Sequence, residues 1–270
     1  MVALRKISAP QLSAGPLGAN HNMNTDISNL LKEELKQTEI PRKEGISMLL
    51  NDKFLVNDNK KFMEMYNWMS NGYDIAETVI GRIKYGNAIN KMRSDLMSKL
   101  EWKDNSKVLY VSIGTGRDLN FIPTSIKAKS LNIVGLDISF GMLKKCKKNF
   151  GSKLDLSLFN CAAEELPFVD NAFDIVFHVG GINFFSDKSA AMKEMVRVAK
   201  PGTKILISDE TQDWIDNQFK KSRLSKEYFK EEHFDLSKLE SLIPQNVSET
   251  KTELMWENKC YCLTFRKIGA

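Results

Sequence analysis

The stretch that most constrains this chain is Lys107–Asp118, KVLYVSIGTGRD. Val108, Leu109, Tyr110, Val111 and Ile113 form a short apolar run that ends in glycines, the pattern of a buried parallel strand entering a tight turn. Lacking a Cβ, Gly114 and Gly116 let the backbone bend sharply and come close to a ligand. Leu131–Leu136 reads as a second strand ending in Asp137, which follows Gly116 by 21 residues. An acid at roughly 20 residues from such a turn is placed to bind the two hydroxyls of a nucleoside ribose. A dinucleotide fingerprint wants a third glycine where Leu119 stands, and no Lys-Ser or Lys-Thr follows the glycines as a P-loop demands. The turn suits a nucleoside ligand without a pyrophosphate.

Strands and helices alternate beyond this point. Ser139–Phe150 reads as an amphipathic helix whose lysines, Lys144, Lys145, Lys147 and Lys148, form a solvated face opposite Met142 and Leu143. Leu154–Asn160, Phe173–Val179 and Thr203–Ser208 are the next strands, with a helix over Asp187–Lys200 stopped by Pro201-Gly202. His178 to Asn183 occupies the loop at the carboxyl end of the fourth strand, where open parallel sheets bind ligands. Ser248–Trp256 and Cys260–Lys267 alternate as the arms of a hairpin. The expected fold is α/β: a Rossmann-like, seven-stranded, mostly parallel sheet with a C-terminal antiparallel hairpin and an N-terminal helical cap.

In order along the chain, KVLYVSIGTGRDL, VGLDISFGMLKK, AAEELPF, and FDIVFHVGGINFFSD followed by MKEMVRVAKPGTKILISDE resemble the successive motifs of class I S-adenosylmethionine-dependent methyltransferases. They are most similar to the small-molecule branch that includes the ubiquinone and menaquinone biosynthesis methyltransferases, over roughly Tyr73 to Lys267. The resemblance implies S-adenosyl-L-methionine as cofactor and transfer of its methyl group, by in-line displacement, to a quinone-like, lipid-like or natural-product acceptor. It implies that Ser112, Gly114, Thr115 and Gly116 line the amino-acid end of the cofactor, that Asp137 and Ile138 meet the nucleoside, and that Ala162, Ala163 and Glu164 border the adenine. His178 is the candidate base, with Asn183 beside it; a packed histidine bonded to backbone is the other reading. Tyr73 and Asp74 match a Tyr-Asp pair that the family places over the cofactor, or are a packing aromatic and a helix cap.

Three positions depart from the family pattern. It usually has an acid at Tyr110, a glycine at Ser112 and an acid at Ala162. These departures keep open a second reading, a non-catalytic module that uses the same fold to bind a ligand or partner. A nucleic-acid methyltransferase is disfavoured, since HVGGINFF replaces the Asn/Asp-Pro-Pro-aromatic motif that grips a flipped base.

Composition sets the remaining bounds. With 270 residues, 42% of them hydrophobic, the chain can bury one sizeable core with additions. Its formal charge of +5 is mild and dispersed and does not by itself argue for a nucleic-acid partner, and none is expected. The four cysteines are not clustered with the three histidines, so no metal is expected. No apolar run is long enough to span a membrane, and a cytoplasmic monomer or homodimer acting on a small-molecule acceptor is expected. Residues 1–24 read as a disordered leader or tag, 25–104 as the helical cap, and 105–270 as the core, with a lid or a surface helix at 209–234.

Overall fold

The computed structural model describes residues 25–75, 85–221, 226–229 and 233–269, with the side chains at 25, 26 and 71–75 outside that description. The expected leader, residues 1–24, lies outside the described residues. Strands are β1 (Arg42–Lys43), β2 (Ile46–Met48), β3 (Lys107–Val111), β4 (Asn132–Asp137), β5 (Asp155–Asn160), β6 (Ile175–Val179), β7 (Lys204–Glu210), β8 (Val247–Met255) and β9 (Cys260–Lys267). The longer helices are α1 (Asn57–Ile75), α2 (Ala88–Ser98), α3 (Phe140–Phe150), α4 (Lys188–Val198) and α5 (Leu236–Ser241).

The strands form one sheet in the order β1-β2-β5-β4-β3-β6-β7-β9-β8. From β2 through β7 every pairing is parallel, and β9 and β8 add antiparallel partners at one edge. β3 lies in the middle, with β4 and β5 built outward on one side and β6 and β7 on the other. The order reverses there, so a crevice opens at the carboxyl ends of β3 and β6. β3 is buried on both faces, which is why its sequence is continuously apolar and does not alternate. Phe62 and Met65 of α1 and Met192 and Met195 of α4 pack on one face. Leu96 and Met97 of α2 and Leu143, Cys146 and Phe150 of α3 pack on the other.

Local signals account for the helix starts. The Ser139 side chain accepts from the Met142 amide at 3.2 Å, Asp187 from Ala190 at 2.8 Å, and Asp235 from Ser237 at 3.0 Å.

The N-terminal segment is less helical than its sequence suggests. A helix is expected from Asp26 or Ser28 to just before Pro41, yet two single turns, Thr25–Ser28 and Glu33–Lys36, are found. Between them the chain leaves helical geometry to bond residues 167–169: Lys32 N–H donates to Pro167 O and Val169 N–H to Leu30 O. The loose segment that follows contains β1 and β2, which extend the expected seven strands to nine. Glu44 and Gly45, with φ of 50° and 73°, make the two-residue turn of that hairpin. Ile46, fully buried, anchors β2 beside β5.

Candidate active site

The crevice at the switch point is a cavity walled by the β3 turn, by Asp137 and Ile138 after β4, and by the loop after β6. Asn59, Phe62, Met63 and Tyr66 of α1 and Met92 and Arg93 of α2 cover it. Glu210, Trp256 and Cys260 close its far end.

The two glycines of the turn serve different purposes. Gly114 has φ of 54°, and a Cβ built there would meet nothing within 4 Å, so its backbone faces open space in the cavity wall. Gly116 has φ of 80°, and its Cβ would stand 2.8 Å from Cys146 Sγ and 2.9 Å from the Phe150 ring. It lets α3 pack against the turn. Ser112, where glycine is usual for the family, holds a left-handed φ of 53° despite its side chain.

Asp137 ends β4 with its carboxylate at the cavity wall. Oδ2 accepts the Gly114 amide at 2.9 Å and Oδ1 the Ser139 amide at 2.8 Å, so the acid is oriented by the turn and by the start of α3. Asn160 ties the same corner to β5 by donating to the Asp137 and Ile138 carbonyls. Burial raises the Asp137 carboxyl from 3.8 to about 6, against the two amides that lower it. It is ionised at neutral pH, and a carboxylate has about four acceptor sites, of which the amides use two. A vicinal diol is the ligand chemistry that fits the remainder.

A second buried carboxylate stands on the same wall. Asp118 follows the glycines in a short helical turn, Arg117–Phe121, and Arg93 Nη1 lies 2.6 Å from both its oxygens. Tyr110 OH donates to Oδ2 at 2.5 Å, and the Tyr110 ring stacks on Phe177 at 4.2 Å. The hydroxyl is thus satisfied in the apolar interior, with its pKa raised well above 10.0 by burial and then by Asp118.

The β6 and β7 ends are built differently. His178 is fully buried; Nε2 accepts the Ile182 amide at 2.9 Å, which leaves the proton on Nδ1 to donate to Val111 O at 3.1 Å. Burial lowers its pKa, and it does not line the cavity. Both ring nitrogens are committed to backbone, the arrangement of the other reading of this residue, a packed histidine. Asn183 is also withdrawn from the reacting space, its Nδ2 donating to Glu210 O at 2.8 Å and its Oδ1 accepting from Tyr261 OH at 2.9 Å. Asp209 accepts the amides of Gly181, Asn183 and Glu210. Glu210, beside it, does face the cavity, and burial followed by the Asp209 charge pushes its carboxyl well above the ordinary value of 4.5.

Of the remaining sequence candidates, Ser112, Gly114, Thr115, Asp137 and Ile138 share the cavity wall. Gly116, Ala162 and Ala163 do not line it; the alanines are buried behind it, and Glu164 accepts from Asn59 Nδ2 at 2.8 Å, which ties the start of α1 to the loop after β5. The Tyr73 and Asp74 side chains lie outside the described residues.

Arg93 and Asp118 were not among the sequence candidates, although a signal exists. Arg93 interrupts the apolar stripe Ile89, Met92, Leu96 of α2, and a buried tyrosine at position 110 needs a partner for its hydroxyl.

A model of the ubiE/COQ5 methyltransferase family matches residues 54–231. The ubiquinone/menaquinone biosynthesis C-methyltransferase UbiE of Geotalea daltonii is 28% identical over 158 residues, 57% of this chain and 64% of that protein. The demethylmenaquinone methyltransferase of Corynebacterium urealyticum is 31% identical over 156 residues, 57% of this chain and 62% of that protein. The matches thus span somewhat under two thirds of the length of these relatives.

Among solved structures, an S-adenosyl-L-methionine-dependent methyltransferase from Methanococcus maripaludis superposes with a TM-score of 0.58 at 15% identity, covering 76% of this chain and 94% of that one. Phosphoethanolamine N-methyltransferase 2 of Haemonchus contortus, in complex with S-adenosyl-L-methionine, gives 0.54 at 16% identity, covering 81% and 59%. These likenesses bear on the fold alone, which they share.

Proposed function

This chain belongs to the ubiE/COQ5 methyltransferase family, and from that premise we propose that it transfers a methyl group from S-adenosyl-L-methionine to a quinone-like small molecule. The observation that carries the reading is Asp137, an ionised carboxylate oriented by two amides at the switch point beside an open Gly114.

When bound, the cofactor supplies an electrophilic sulfonium methyl. The work left to the protein is binding, alignment and exclusion of water, and holding a nucleophile about 3–3.5 Å from its target contributes roughly 7–11 kcal/mol. Asp137 accepts from the ribose hydroxyls, and the Ser112–Thr115 backbone borders the amino-acid end. Phe62, Met63 and Tyr66 from α1, with Phe184 and Phe185 after β6, offer apolar and aromatic walls to a flat acceptor. Phe229 packs on Phe62 and Phe184, at ring centroid distances of 5.3 and 5.0 Å, which supports a covering role for the short helix 226–229 over this wall. The acidic residues on the lining at the proposed acceptor end are Asp209 and Glu210.

In this reading the protein acts in the cytoplasm as a monomer or homodimer, without nucleic acid or stable membrane insertion. Among the described residues no helix is long and apolar enough to cross a membrane.

The test is incubation with methyl-labelled S-adenosyl-L-methionine and a reduced naphthoquinone bearing an open ring position, followed by mass spectrometry. A product heavier by one labelled methyl is expected. Ligand binding without transfer to this or to other quinols would instead indicate a non-catalytic binding module.

A further inference from the structure

Asp209 and Glu210 end β7 as adjacent acids on the cavity lining, and the hydrogen bonds around them give the two different tasks. Asp209 is buried. Its Oδ2 accepts the Gly181 and Asn183 amides at 3.0 and 2.9 Å and its Oδ1 the Glu210 amide at 2.9 Å, so three of a carboxylate's roughly four acceptor sites are filled. Glu210 is pinned by its backbone instead, the amide on Asp209 and the carbonyl on Asn183 Nδ2 at 2.8 Å, while the residue keeps accessible surface. Its carboxyl bonds that of Asp209 and its own amide. A hydrogen bond between two carboxyls needs one proton, and because amide donors fill Asp209 the proton belongs to Glu210.

The sheet order places this pair. β4, β3, β6 and β7 are consecutive neighbours, so Glu210 ends a strand three spacings from that of Asp137, roughly 14 Å away along one cavity. Val179, Phe184 and Phe185 line the same cavity from the intervening β6 and the loop after it. A nucleoside held at Asp137 leaves the β7 end to a second molecule.

We infer that Glu210 is the catalytic base of the transfer, taking the hydroxyl proton of an aromatic acceptor, and that Asp209 is the residue that positions it. The inference rests on the quinol-methylating function proposed above and deepens it. As the O–H proton moves to Glu210, the oxygen pair forms a carbon–oxygen double bond and a ring pair forms the bond to the methyl, while sulfur keeps the pair of the bond that breaks. The methylated carbon then loses its hydrogen to solvent as a proton, the ring regains its aromatic pair, and the oxygen recovers its proton from Glu210. One proton is released overall, and Glu210 is left ionised for the next turnover. Burial and the Asp209 charge make its carboxylate more basic than an ordinary one, which brings it closer to a phenol.

The other groups around it titrate elsewhere. From β9 come Cys260, its cross-strand partner, with the thiol pushed up to about 12, and Tyr261, raised well above 10.0. Arg93 of α2 opposes the Asp209 charge, and His178 of β6, near Asp209, is lowered by burial.

The experiment measures kcat/KM for the reduced naphthoquinone as a function of pH, with S-adenosyl-L-methionine saturating so that Asp137 does not contribute. In the wild type it should rise with pH along one limb as Glu210 ionises. Glu210→Gln should lose that limb and fall about 100- to 10,000-fold, with affinity for S-adenosylhomocysteine unchanged. Glu210→Asp, which keeps an acid, should recover part of the rate. Infrared difference spectra of wild type against Glu210→Gln provide a readout without turnover: the C=O band of a protonated carboxyl should be present in the wild type at neutral pH and absent from the variant. A Glu210→Gln variant that keeps the wild-type rate and pH limb, or a wild type without that band, overturns the role of Glu210 and leaves the methyl transfer standing. A wild type that binds S-adenosylhomocysteine but methylates no quinol at any pH overturns the proposed function, and the base with it.

Discussion

The two ends of the cavity use polar residues in opposite ways. At the β3 and β4 end, Asp137 and Asp118 are held by neighbours yet keep acceptor capacity toward the cavity. At the β6 and β7 end, His178, Asn183 and Asp209 give their side chains to backbone groups or to Tyr261. The first end is equipped to recognise a polar ligand. The second is a scaffold that shapes an apolar wall, with the adjacent acids Asp209 and Glu210 on the cavity lining. That division suits a reaction in which a charged cofactor is gripped and a flat acceptor is aligned.

The comparison breaks most visibly at His178. Replacing it with Phe leaves the Val111 carbonyl and the Ile182 amide without their partner, at about 1–3 kcal/mol for each buried group. A loss of roughly 2–5 kcal/mol in denaturant unfolding is expected. A fully stable variant with altered pH dependence of transfer would restore His178 as a base.

Asp137→Ala should show the converse behaviour, lowering affinity for S-adenosylhomocysteine at least ~100-fold through loss of charge-assisted bonds to two hydroxyls. At neutral pH two effects oppose each other, loss of the bonds to the Gly114 and Ser139 amides and removal of a buried charge, so the net change in its stability should be smaller than for His178→Phe. The folded carboxyl, at about 6, lies above its ordinary 3.8, so its contribution is complete below the lower value and is lost as pH rises through the upper one. The variant should therefore flatten the stability profile across that window, and wild-type affinity should rise over the same window as the carboxylate ionises. Affinity that is flat with pH would detach Asp137 from the ligand.

Smaller effects separate the residues of the turn. Gly116→Ala forces a Cβ against Cys146 and Phe150 at a left-handed φ and should cost about 1–3 kcal/mol of stability, read as a lower melting temperature. Ser112→Gly relieves a left-handed serine, partly offset by the entropy of glycine, and should stabilise by about 0.5–1 kcal/mol. A destabilised Ser112→Gly variant would mean that the serine side chain contributes more than its backbone costs.

Much of the sheet is legible in the sequence because its signals are local. The buried run of β3, the glycines that follow it, Asp137 at the end of β4, the cap residues Ser139 and Asp187, and the alternating β8–β9 hairpin each carry their own pattern. What escapes depends on distant partners. The N-terminal helix is interrupted because Leu30 and Lys32 find backbone partners at Val169 and Pro167, which no periodicity reveals. β2 is too short for a clear pattern, although the Glu44-Gly45 turn before Ile46 marks it in retrospect.

The candidate site divides along the same line. Asp137 is found by spacing, whereas the role of His178 depends on an amide four residues later and a carbonyl on the neighbouring strand. The Arg93–Asp118–Tyr110 group joins three elements, and its members become intelligible only together.

The most direct test of the central claim is calorimetric titration of the full chain with S-adenosyl-L-methionine and S-adenosylhomocysteine. The cavity at the carboxyl ends of β3 and β4 predicts micromolar binding of both with one site per chain. No heat and no thermal shift with either ligand would contradict it, and would leave a methyltransferase fold serving another purpose.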